Sequence, residues 1–177
     1  VEMVSATGHS KSALSAALTG SFVTYGLGQI LVGWLGDRIQ PKKLVSLGLG
    51  VTVAMNLLLP FCTAPWQMAV VWSCNGFAQA FMWPPITKLM VFNFQGEEYS
   101  RAMALVSYGS SSGTILVFLL SPILIALLGW RWVFWFCGLC GLAMLIGWNR
   151  WCPALAAEQT ILETLDSIYD QTYPNIE

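Results

Sequence analysis

Residues 12–36 contain no Asp, Glu, Lys or Arg, and neither do residues 44–87. Between these stretches, Asp37, Arg38, Lys42 and Lys43 crowd into seven positions. Each uncharged stretch is long enough to cross a bilayer as a helix, which takes about 20 apolar residues. A soluble domain carries about 25% charged residues; this 177-residue chain carries 10%, and 56% of it is hydrophobic. The shortage is uneven, because residues 154–177 are polar and acidic. The chain therefore reads as an all-α polytopic membrane protein that turns at the water interface through residues 33–43. Gly33 and Gly36, on the near side of that turn, are expected to let two helices approach closely, as small residues do in lipid.

Five segments qualify as spans: Ser12–Leu35, Leu44–Phe61, Trp66–Lys88, Ala102–Leu128 and Val133–Trp151. Pro60 and Pro65 bracket the turn between the second and third, because proline ends helices. The apolar runs lack period-two alternation and far exceed the ten or so residues of a barrel strand. Domain boundaries follow: a lead-in at 1–11, the helical bundle at 12–151 and a polar tail at 152–177. Arg38, Lys42, Lys43, Lys88, Arg101 and Arg150 fall on one side of the membrane, and Lys11 and Arg131 on the other. The bias of Lys and Arg toward the cytoplasm places the C-terminus inside and the N-terminus outside a multi-pass cell-membrane protein. Trp66, Trp130, Trp132, Trp148 and Trp151 sit near helix ends, where indoles favour the interface. In the tail, Ile161, Leu165 and Ile168 share one face at helical spacing, as in a short surface helix or a linker.

The composition excludes several functions. No basic stripe points to nucleic acid, and the net charge is -1. No phosphate-binding loop, nucleophile elbow or metal-ligand spacing appears, so neither an enzyme nor a cofactor or metal is expected. The Cys137-Gly-Leu-Cys140 pair has redox spacing without the strand–helix–strand context that would support redox chemistry. His9, the lone histidine, reads as a solvated loop residue. No span carries Asp or Glu, so these helices offer no carboxylate relay for protons.

The polar residues inside the spans are neutral and spaced helically. Tyr25 and Gln29 lie at i and i+4; Asn75, Gln79 and Trp83 at i, i+4 and i+8; Tyr108, Ser111 and Ser112 share a face. Such sets line a polar cavity or bond helix to helix. Tyr25 and Gln79 favour the cavity, and the run Ser110–Gly113 the helix contact. Trp83-Pro84-Pro85 is expected to break the third helix near its cytoplasmic end, as a kink or a gate.

At residues 33–43 the chain resembles the major facilitator superfamily, whose loop signature is matched by Gly33, Leu35, Gly36, Asp37, Arg38, Lys42 and Lys43. Tyr25-Gly26-x-Gly28-Gln29, Asp37-Arg38-x-x-Pro41-Lys42 and Asn75-Gly76-x-x-Gln79-x-x-x-Trp83-Pro84-Pro85 resemble the organophosphate:phosphate antiporters, which exchange glycerol phosphate or hexose phosphates. The resemblance covers residues 9–153. It implies that the spans are helices two to six of a twelve-helix transporter. The first helix and the C-terminal half, with the two phosphate-gripping arginines, would lie outside this chain, and the tail would open the central cytoplasmic loop. The implied function is exchange of a phosphorylated anionic solute for inorganic phosphate. Another organic anion, or a non-transporting sensor, remains the alternative. Tyr25, Gln29, Asn75, Gln79, Trp83 and Ser112 would line the cavity. Gly33, Gly36, Asp37, Arg38, Lys42 and Lys43 would form a latch between the halves, Asp37 facing a helix N-terminus, where the macrodipole favours an anion. Glycerol phosphate exchangers carry a histidine where Ser112 or its neighbour stands, which leaves the substrate open.

Overall fold

The computed structural model describes Val4, Gly8, residues 10–36 and residues 38–152. His9, Asp37 and the amphipathic stretch at 160–169 lie outside these described residues. Among the described residues six α-helices follow one another: α1 (Lys11–Leu35), α2 (Pro41–Leu58), α3 (Pro65–Gln79), α4 (Trp83–Asn93), α5 (Gly96–Leu128) and α6 (Trp130–Trp151). A 3₁₀ turn, Leu59–Phe61, follows α2. Local chemistry sets the ends. The Ser10 hydroxyl accepts from the Ala13 amide at 3.2 Å and caps α1. Gln67 Oε1 accepts from the amides of Thr63 and Ala64 at 3.0 and 3.1 Å and caps α3. Between α5 and α6, Gly129 turns the chain at φ +90, a backbone angle that favours glycine.

Among the described residues, four helical stretches are long and apolar enough to cross a membrane: Lys11–Leu35, Pro41–Phe61, Gly96–Leu128 and Trp130–Trp151. The expected third span is not one helix. It is divided into α3 and α4, of 15 and 11 residues, each too short to cross alone. The break comes just before the prolines. Pro84 and Pro85 have no N–H, so they cannot donate to the carbonyls of Ala80 and Phe81 four residues back. The chain tightens instead into i→i+3 bonds: Ala80 to Phe77, Phe81 to Ala78 and Met82 to Gln79, at 3.1–3.2 Å. Two boundaries also differ. α5 starts at Gly96, taking in Glu97, Glu98 and Arg101. At about 1.5 Å per residue it is about 50 Å long, well beyond the hydrocarbon thickness, so its charged first turns can stay in water. Trp130 is 5% exposed and packs with Leu59 and Met68 rather than standing at an interface.

α1 and α3 run parallel and form the most extensive pairing. Glycine makes it possible. A Cβ at Gly28 would lie 2.7 Å from Ala80 Cβ, one at Gly20 would meet the Ser73 hydroxyl, and one at Gly76 would strike the backbone of Ser21. The Thr24 hydroxyl crosses the seam to the Ser73 carbonyl at 2.6 Å. Replacing Thr24 by Val, which keeps the shape and removes the bond, is expected to cost about 0.6–1.7 kcal/mol, the range for interhelical bonds in membranes; thermal denaturation in detergent measures it. The close approach expected at Gly33 is not found. A Cβ there would meet nothing within 4 Å, and one at Gly36 would meet carbonyls of its own chain segment.

α2 packs antiparallel to α6, where Gly138 sits under Leu57 and Gly141 under Val53. Arg38, Lys42, Lys88 and Arg150 gather at one end of the bundle, here called the basic end. At the other, Arg131 Nε donates to the Pro60 carbonyl at 2.9 Å. No residue of α5 is buried.

Candidate functional site

The seam between α1 and α3 decides where the neighbouring polar side chains stand. Thr24 and Gly28 are in it, so Tyr25 and Gln29, one residue further on, stand about 100° round α1. On α3 the seam is Ser73, Gly76, Phe77 and Ala80, and Gln79 stands about 100° round in the opposite sense. For two parallel helices facing each other, opposite offsets lead to the same side of the pair. Tyr25, Gln29 and Gln79 therefore share one side and one depth, since Gly28 lies level with Phe77 and Ala80. Tyr25 is 37% exposed, Gln29 half-buried and Gln79 exposed. Trp83 opens α4 beyond the break and is 42% exposed.

The other two cavity candidates stand elsewhere. Asn75 is not part of an exposed stripe with Gln79 and Trp83. It points away from α1 and is 1% exposed, whereas Gln79, one turn on along the same helix, is exposed; the break after Gln79 takes Trp83 out of the register. Among the described residues its Oδ1 has no hydrogen-bond partner, and neither has Thr52 Oγ1 on α2. α2 runs antiparallel to α3 with Gly48 against Ala78, so Thr52, one turn on, comes level with Cys74 and Asn75. Ser112 is exposed on α5, with Ser110 and Ser111.

At the basic end, the loop between α1 and α2 is fastened by neighbours. Lys88 Nζ donates to the Gly36 carbonyl at 2.8 Å, holding the start of the loop to α4. The Arg38 guanidinium lies 4.2 Å from the Trp34 ring centroid, a cation–π contact. Lys42 Nζ donates to the Asn149 carbonyl at 3.1 Å, and Trp148 Nε1 donates to the Lys42 carbonyl at 3.3 Å. The Ser46 hydroxyl donates to Asn149 Oδ1 at 2.9 Å. Gly33, Gly36, Pro85 and Lys88 line a small cavity of about 90 Å³ beside the loop. Gly33, Gly36, Arg38 and Lys42 are thus together at one end. Sequence reasoning missed the Lys88 and Asn149 anchors, because each depends on which helices meet. The Gly20-xxx-Thr24-xxx-Gly28 spacing was a readable signal of the seam.

A bundle of long apolar helices, with neutral polar side chains beside a small-residue seam and a basic loop at one end, is the build of a multi-pass membrane protein. The profile of the Major Facilitator Superfamily matches residues 1–163, and the chain belongs to that family. It is 28% identical over 130 residues to the membrane sensor protein UhpC of Salmonella typhimurium, covering 72% of this chain and 29% of that protein. It is 23% identical over 129 residues to a probable hexose phosphate transport protein of Chlamydia trachomatis, covering 73% and 28%. It is 27% identical over 136 residues to the glycerol-3-phosphate transporter of Bacillus subtilis, covering 73% and 30%. The chain thus spans less than a third of the length of these relatives, whose identities match the organophosphate:phosphate antiporter resemblance. No solved structure matches it.

Proposed function

We propose that this chain is part of a transporter that exchanges a phosphorylated organic solute for inorganic phosphate by alternating access. The observation that carries the proposal is the shared side of α1 and α3, where Tyr25, Gln29 and Gln79 offer neutral donors and acceptors beside a tightly packed seam. An anion needs such donors, and charged groups supplied by the rest of the transporter would grip the phosphate through charge-assisted bonds. The absence of Asp and Glu from the spans favours anion exchange over proton coupling. In this reading the basic end faces the cytoplasm, the N-terminus lies outside, and residues 152–177 begin the central loop.

Proteoliposomes of the full-length protein test the exchange. Labelled phosphate inside should leave on addition of external glycerol phosphate or hexose phosphate and stay in their absence. Retention with every organophosphate tried, under conditions where another organic anion exchanges, would overturn the reading. A second reading, a sensor that binds such a ligand without moving it, is favoured by the similarity to a membrane sensor protein. Saturable binding without exchange would select it.

The loop has its own expected outcome. Asp37→Asn keeps the size and removes the charge that would face a helix N-terminus. It should slow exchange about fivefold, for a dipole contact of about 1 kcal/mol, with the membrane content of the protein unchanged. Unaltered exchange would make the loop a turn and nothing more.

A further inference from the structure

At the basic end a groove of about 350 Å³ opens between α4, α5 and α6. Leu89, Met90 and Phe94 form one wall, Val106 and Trp148 the others, and Cys152 stands at its edge. The groove is apolar and lies toward the basic end, with Asn93 in its lining and Trp148 beside Lys42. Such a surface calls for a cover. The chain itself leaves the described structure at the groove, at Cys152.

We propose that residues 160–169 of this chain dock in the groove through Ile161, Leu165 and Ile168, and so hold the following segment against the basic end of the bundle. Three observations favour this occupant over lipid or a separate protein. First, reach is sufficient: eight residues separate Cys152 from Ile161, and the nine steps between them span up to about 30 Å of chain, enough to turn back onto α4 and α5. Second, these three residues recur at i, i+4 and i+7, the pattern by which a helix lays an apolar face into a groove. Third, the charges are complementary. Residues 154–177 hold five Asp and Glu and no Lys or Arg. The facing end of the bundle carries Arg38, Lys42, Lys43, Lys88 and Arg150, so attraction would orient the segment with its carboxylates over those side chains. Lys42 reaches this region: burial raises the Cys152 thiol pKa, and the Lys42 ammonium partly offsets that rise. The inference does not depend on the solute, so it stands or falls apart from phosphate exchange.

Cysteine cross-linking in the full-length protein tests it, with the native cysteines replaced and membrane content followed on gels. Val106→Cys paired with Leu165→Cys should cross-link under mild oxidation, whereas Leu127→Cys paired with Leu165→Cys, at the far end of α5, should not. Substituting Asp at Ile161, Leu165 and Ile168 should raise the labelling rate of Val106→Cys by a water-soluble maleimide about tenfold or more, since a minor open state is populated at about 10% or less. Cross-linking no better than the control pair would overturn the proposal. So would labelling of Val106→Cys only by a lipid-dissolved maleimide, with or without the aspartates, since lipid would then fill the groove.

Discussion

Gly76→Leu should leave almost no folded protein in the membrane. A Cβ at Gly76 would strike the backbone of Ser21, and backbone cannot step aside as a side-chain end can. Inserting a methylene into a packed core costs about 1–3 kcal/mol, and four added carbons against a helix backbone multiply that. Native stabilities are about 5–15 kcal/mol, so the seam between α1 and α3 would have to open. Gly76→Ala is the graded version, with about 2–3 kcal/mol expected at the top of the overpacking range. Gly33→Ala is the matched control. Its Cβ meets nothing within 4 Å, so it should be neutral or slightly stabilising through better helix propensity. Melting curves of the full-length protein in detergent separate the three. Equal melting for Gly76→Ala and Gly33→Ala would mean that the two helices do not pack as described.

Asn75→Leu carries the second large effect, of opposite sign. The Asn75 amide oxygen is buried among α2 and α3 without a hydrogen-bond partner. A buried unpaired polar atom costs about 1–3 kcal/mol, and leucine keeps the branched four-atom skeleton of asparagine while adding apolar contact. A gain of about 1–2 kcal/mol in stability is expected, with transport retained, because Asn75 is covered at 1% exposure while Gln79, one turn on, stays open. Loss of transport with raised stability would instead return Asn75 to the solute path.

The class of fold was legible because it rests on quantities that sum along the chain. Two long uncharged stretches and a charged turn suffice for helices in a bilayer, and the loop residues carry the family. The break in the third span was legible in kind, since Pro84 and Pro85 announce it, but its place was not. The carbonyls that lose their donors are those of Ala80 and Phe81, so the helix ends at Gln79 rather than at the prolines themselves. Packing was least legible. Gly33 and Gly28 look alike in a sequence, yet only Gly28 meets a neighbouring helix. Helical spacing grouped Asn75 with Gln79, and only the position of α2 shows that one is covered and the other open. Lys88 reads as a charge near a helix end until α4 is seen to place it beside Gly36.

The central claim is that the open polar side of α1 and α3 faces the solute path of a phosphate-coupled transporter. The most direct test is the reactivity of Gln79→Cys, in full-length protein without other cysteines, toward a small water-soluble maleimide. Labelling that glycerol phosphate or hexose phosphate slows at concentrations that also drive exchange is the predicted result. No reaction with the water-soluble reagent, with ready labelling by a lipid-dissolved one, would put Gln79 against lipid and contradict the account.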